Sequence, residues 1–294
     1  MTSGSSILAT DSDGADRRAR TAPITFGAAD LRPKRRVWRS GAAAALLVIA
    51  LSSPAKAETT PLEDLLLRTG RVVETFWGQI SGVTCREAIS QSKLDLKGKT
   101  IYQQEGVFDY LVLLRMEGQD LSVEESRVSQ REPHSKKKVT LLVTSGFSTL
   151  VLIFHPYYQS SFEFSQQSEE MLDGKHLLRV RFQPIPGARS PSALMAGGRE
   201  FALALEGTAW IEPDSGAIVR ITARLETPLE DIGLRRMESD VRYAPVSFEG
   251  GAAVYWLPVS ASIEAETTQQ RWRNVHRFSG YRKFTVNSRI VPSH

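Results

Sequence analysis

A single cysteine, Cys85, stands alone in 294 residues, so no internal disulfide can form and the fold must hold itself together by packing. The five histidines are scattered, and neither an HExxH pair nor paired cysteines supply a metal-binding spacing. A glycine-rich phosphate loop and a Gly-x-Ser-x-Gly elbow are missing as well. Cys85 with His155, His176 or His276 is the one remaining arrangement for nucleophilic catalysis, and a lone cysteine among strand residues reads as inert packing. His155-Pro156 and Asp109 read as structural. These absences leave no motif for turnover, and no metal or cofactor is expected. A long hydrophobic span is also lacking, because the apolar run Ala42 to Leu51 is about half the length of a bilayer-crossing helix.

What that short run does have is the right company. Arg32, Lys34, Arg35, Arg36 and Arg39 precede it, and Ala55-Lys56-Ala57 follows with small residues where a signal peptidase cuts. Residues 31–57 are therefore expected to be a signal peptide, cleaved near Ala57/Glu58, that sends the rest to the periplasm or outside. The Arg35-Arg36 pair invites a twin-arginine reading, but Arg39 stands where such signals prefer an apolar residue. No cysteine follows the cleavage position, so a lipid anchor is not expected. The polar stretch 1–30 reads as a disordered extension or as upstream of the true start, near Leu31 or Val37.

Removing the signal changes the charge argument. Residues 1–57 hold nine of the 37 Lys and Arg and four of the 33 Asp and Glu, which leaves 28 basic against 29 acidic residues. The basic total of the whole chain is thus mostly a property of the signal, and nucleic acid drops out as a partner. Residues 58–294 are enough for one sizeable core, and continuous strand patterning favours a single domain.

Glu58 to about Ile80 reads as a helix, with Thr60 as cap and Pro61 at the first helical position. Thereafter the period is two: Phe108, Tyr110, Val112, Leu114 and Met116; then Tyr158, Phe162 and Phe164; then Leu178, Val180 and Phe182. Phe201, Leu203, Leu205, Ala209 and Ile211 lead into the turn Glu212-Pro213-Asp214-Ser215-Gly216, and Ala217 to Leu225 returns, which makes a hairpin. Val259 to Ala265 and Arg271 to Val286 complete a sheet. Val139 to Phe154 breaks the pattern, being too continuously apolar for a half-exposed strand, with Phe147, Leu150, Val151 and Phe154 at helical spacing. The expected fold is mainly β (α+β), a curved antiparallel sheet or incomplete barrel wrapped around one or two helices. Gln130 to Lys138 reads as a charged loop, and Pro184 to Gly198, rich in proline and glycine, as a loop with the makings of a lid.

The stretch Gly207-Thr208-Ala209-Trp210-Ile211-Glu212-Pro213-Asp214-Ser215-Gly216, followed by Ile218-Val219-Arg220-Ile221, resembles a hairpin of the periplasmic lipoprotein-carrier superfamily, the LolA, LolB and RseB-like half-barrels. Tyr243, Tyr255-Trp256-Leu257-Pro258 and Phe278-Ser279-Gly280-Tyr281-Arg282-Lys283-Phe284 recur in a similar order there, so the likeness covers the last third of the chain. The resemblance implies an incomplete barrel enclosing helices, with an apolar concavity for acyl chains, as in the uncharacterised secreted members of that group.

Two sets of residues are candidates for contact. Phe154, Phe162, Phe164, Trp210 and Trp256 are the expected lining of an acyl-chain cavity, or else filled core. Arg271, Arg273 and Arg277 fall on one strand face and Trp272, His276 and Phe278 on the other, so the arginines offer an anionic head-group or partner contact, or else an ordinary solvated face. The function expected is carrier-like binding of an acyl chain, lipid or lipoprotein without turnover, touching a membrane only transiently. The alternative is an envelope sensor or adaptor that uses the same fold to meet another protein.

Overall fold

The computed structural model describes residues 61–80, 82–117, 120–130, 146–196, 199–248 and 254–283. The expected signal peptide, most of the charged loop and the 139–145 part of the apolar stretch lie outside these residues. Helix α1 (Pro61–Ile80) begins at the expected proline. Its buried side, Leu65, Thr69, Gly70, Val73, Phe76 and Ile80, is one apolar stripe at helical spacing.

Ten strands form one open, curved antiparallel sheet. They are β1 (Val83–Leu94), β2 (Thr100–Glu117), β3 (Asp120–Ser129), β4 (Phe162–Leu172), β5 (Lys175–Pro184), β8 (Leu205–Ile211), β9 (Ile218–Leu225), β10 (Leu234–Ser247), β11 (Val254–Thr267) and β12 (Arg271–Lys283). The order across the sheet is β3-β2-β1-β12-β11-β10-β9-β8-β5-β4, so the chain closes β12 back onto β1 and leaves β3 and β4 as edges. Among the described residues, two four-residue strands, β6 (Ala193–Ala196) and β7 (Arg199–Ala202), pair only with each other. The expected loop Pro184 to Gly198 is corrected accordingly: it ends in a strand, and Phe201 belongs to that hairpin rather than to β8. Tyr158, expected on a strand face, sits instead in the one-turn helix α2 (Pro156–Gln159).

The alternation of the strands sorts the sheet into two faces. Val180, Ala209, Ile221, Val241, Ala261 and Ile263 are buried inward, against α1 and the segment 150–154. That segment belongs to a 3₁₀ helix, Phe147–Phe154, tighter than the helix expected. Leu150 to Phe154 are all buried, with no solvent-facing side, because the sheet curves around them. His155 ends the 3₁₀ helix in an extended conformation, and its Nδ1 accepts from Tyr157 N at 3.2 Å, capping α2.

Two glycines set how closely elements approach. Gly216 closes the β8–β9 turn with φ of 74°, and an added Cβ would sit 2.8 Å from Thr69 N of α1. Arg68 fixes the same junction through Nη2 to Pro213 O, 3.2 Å. Gly207 faces inward where β8 and β9 draw together. A Cβ there would overlap the Thr222 carbonyl oxygen and lie 2.7 Å from the Phe182 ring.

Candidate functional site

Three regions carry the chemistry. The first is an aromatic seam at the β4 edge. Phe154 packs against Phe164 with the rings tilted (5.1 Å between centroids) and meets Phe182 edge-on, and Phe162 also meets Phe182 edge-on. Phe154 and Phe182 are fully buried, whereas Phe164 and, on α2, Tyr157 are half-buried. The loop that leaves β5 runs over this seam: Ile185 N donates to Ser161 O, and the Arg189 guanidinium lies 4.9 Å from the Tyr157 ring. Leu194 of β6 and Phe201 of β7 pack against the core, half-buried. The hairpin base is closed by Leu203 N to Ser192 O and by the Ser190 hydroxyl to Leu203 O. Arg199 approaches Asp231 at 4.0 Å, both largely in solvent.

Of the five aromatics expected to share a lining, the structure brings Phe154, Phe162 and Phe164 together. Trp210 lies on the outer face, its Nε1 donating to Glu170 and its ring flanked by Arg220 at 4.6 Å and Arg179 at 5.7 Å. Trp256 sits by the β4–β5 and β8–β9 turns, with Nε1 donating to Ile218 O and Lys175 Nζ 5.3 Å from its ring.

The second region is a buried charge cluster on the inner face of β1, β3 and β12. Arg127 reaches diagonally across β2 to Glu87, with Nε to Oε2 at 2.6 Å and Nη2 to Oε1 at 3.1 Å. His276 Nδ1 donates to Glu87 Oε1 at 2.8 Å. The guanidinium also covers the Tyr110 ring and pairs with Glu125, whose Oε1 accepts from Gly146 N at the start of the 3₁₀ helix. Burial alone would push Glu87 up; the His276 hydrogen bond and the Arg127 charge together outweigh it and hold the carboxyl below its ordinary range. Arg127 is likewise penalised by burial, but Glu125 and Glu87 raise it, so it stays cationic. Sequence reasoning missed this cluster, although Glu87 between the inward Cys85 and Ile89 is a charge in an apolar alternation.

Cys85 adjoins the cluster. Burial first, and then the Glu87 charge, push its thiol from an ordinary 9.0 up to about 12, against a hydrogen bond to Tyr281. The thiol lies beside the Tyr281 hydroxyl, which itself donates to Pro258 O. It stays protonated at neutral pH and makes a poor nucleophile.

The third region is the outer face. Arg271, Arg273 and Arg277 point outward and Trp272, His276 and Phe278 inward. Arg271 and Arg273 converge on Glu264, at 2.6 and 2.7 Å, so their charge is engaged; Arg277 is exposed. Beside them a groove of about 500 Å³ crosses the outer face from β4 to β11. Its floor holds Glu206, nearly buried, with Arg181 and Arg224 on its two oxygens at 3.0 and 2.6 Å. Both arginines counter the burial that would raise the Glu206 carboxyl, and it lies below its ordinary range. Asp240, on the far bank, holds Arg220 in a two-pronged pair. Thr208, Thr222 and Ser262 place hydroxyls between these charges.

No family model matches the chain, and no curated protein matches it. Solved structures are similar at low identity. A DUF1329 family protein from Desulfovibrio piger shares 14% identity over 78% of this chain and 96% of its own, with a TM-score of 0.42. A domain described as an outer membrane lipoprotein-sorting protein, from Vibrio parahaemolyticus, shares 8% over 76% and 95%, TM-score 0.40. A LolA superfamily protein from Nitrosomonas europaea shares 9% over 74% and 94%, TM-score 0.35.

Proposed function

We propose that this chain is an exported binding protein that takes up an acyl chain of a lipid or lipoprotein without chemical turnover. The observation that carries the reading is the half-buried aromatic seam together with a hairpin separate from the main sheet. Phe164 and Tyr157 are half-buried beside the fully buried Phe154 and Phe182, Leu194 and Phe201 are half-buried against the same core, and among the described residues the strands that carry Leu194 and Phe201 pair only with each other. Lifting β6–β7 breaks no hydrogen bond of the ten-stranded sheet. An acyl chain inserted there gains about 0.8 kcal/mol per buried methylene. Of the three candidate arginines, Arg277 is the one we assign to an anionic group or protein partner, since the other two are held by Glu264.

A second reading, an envelope sensor or adaptor, is favoured by one observation: Leu150 to Phe154 pack the concave face shut, each 4% exposed or less. Native mass spectrometry separates the two. Protein purified from the envelope of a Gram-negative host expressing the full chain should carry a lipid-sized adduct that denaturation releases, reduced in Phe164→Ser. Bare protein, still bare after incubation with phosphatidylethanolamine vesicles and a triacylated lipopeptide, would overturn the acyl-binding reading and leave the adaptor.

A further inference from the structure

The outer groove is independent of the acyl-chain reading, since it lies on the opposite face of the sheet. At about 500 Å³ it falls in the size range of small-molecule sites, about 300–1,000 Å³, but most of its lining residues are charged or carry hydroxyls or amides, where such sites are lined mainly by apolar side chains. Its charges are compensated in place. Glu206 is matched by Arg181 and Arg224, Asp240 by Arg220, and Glu264 by Arg271 and Arg273. A charged ligand would have to displace one of these partners, whereas a hydroxyl can add to the lone pairs that remain on the carboxylates.

Gln167 and Arg179 add an amide and a guanidinium to the same lining. A peptide adding as a strand is disfavoured, because the groove crosses the middle of the sheet, where β5, β8, β9 and β10 are already paired on both sides. A stacking platform is not open either, since the Trp210 ring is only 7% exposed.

We infer that this groove binds a neutral polyhydroxylated ligand, a short glycan. Ligand-observed saturation-transfer NMR on the purified full-length chain tests it, with chitotriose and maltotriose as neutral probes and trigalacturonate and the chitosan trimer as charged ones. Transfer to a neutral trisaccharide is expected, weakened roughly five- to tenfold by Thr208→Val combined with Ser262→Ala, which remove two hydroxyls and leave every ion pair intact. Thermal melting of the variant, matching the parent, guards against misfolding; should it differ, Ser262→Ala alone is the variant to measure. No transfer to either neutral probe, transfer only to a charged one, or transfer unchanged in the variants would each overturn the inference.

Discussion

Glu87 is the residue on which most buried charge converges. Removing its carboxylate leaves the Arg127 guanidinium inside the sheet without its two shortest bonds and His276 without its acceptor. Breaking one side of a buried pair costs about 3–5 kcal/mol. An exposed pair such as Arg236–Glu238 is worth about 0–1 kcal/mol. Urea denaturation should therefore give Glu87→Ala a much lower midpoint and leave Arg236→Ala near the parent; equal shifts would remove the cluster's structural importance. The pH dependence has a definite sign. The folded carboxyl lies below its ordinary 4.5, so its stabilisation is complete above that value and is lost as pH falls through the folded value. The stability gap between the parent and Glu87→Gln should be flat above about pH 5 and shrink on acidification. Glu206 and Glu264 act in the same direction, more weakly, because Arg224 and Arg273 are half or more in solvent. The outward set of Arg271, Arg273 and Arg277 was legible from alternation alone. The engagement of Arg271 and Arg273 by Glu264 was not, because β11–β12 register is a tertiary fact. The Glu87 partners lie 40 and 189 residues away, beyond any local signal.

At the scale of elements, Gly207 makes a sharper test than any core side chain. Strands β8 and β9 approach so closely there that a methyl group must displace the Thr222 carbonyl or the Phe182 ring. Backbone cannot yield as a flexible side chain can, so Gly207→Ala should destabilise by about 1–3 kcal/mol or more. An unchanged melting temperature would mean that the sheet flattens without cost. The strands on either side were readable, since Ala209, Ile211, Ile221 and Ala223 keep the period of two and Glu212 to Gly216 has turn chemistry. The limits of that reading were physical. Phe201 and Leu203 continue the parity of β8, yet the chain turns out of the sheet before Leu205, because β7 finds its partner in β6. A 3₁₀ helix replaced the expected helical stretch at residues 147–154, where the burial of every residue from Leu150 to Phe154 removes the amphipathic stripe that distinguishes helix types. Tyr158 shared parity with Phe162 but had been preceded by His155-Pro156, a cap and first-turn pair.

For the whole molecule, the question is which part opens. The ten-stranded sheet ties β12 to β1 and buries a continuous core, so its opening should approach global unfolding. The β6–β7 hairpin has two strands of four residues, and an isolated two-stranded hairpin is marginal in water. Its ion pair to Asp231 is exposed at both ends and adds little. Native-state hydrogen exchange should therefore find the hairpin amides opening with far less free energy than those of β8 to β11. If β6–β7 proves as protected as β10–β11, it cannot act as a lid and the seam has no entrance. The same experiment separates the two proposed sites. An acyl ligand in the seam should slow exchange in β6–β7, because closure then buries more apolar surface beneath it. A glycan in the outer groove should slow exchange around Thr208, Thr222 and Ser262 and leave the hairpin unchanged, since the sheet itself stands between them.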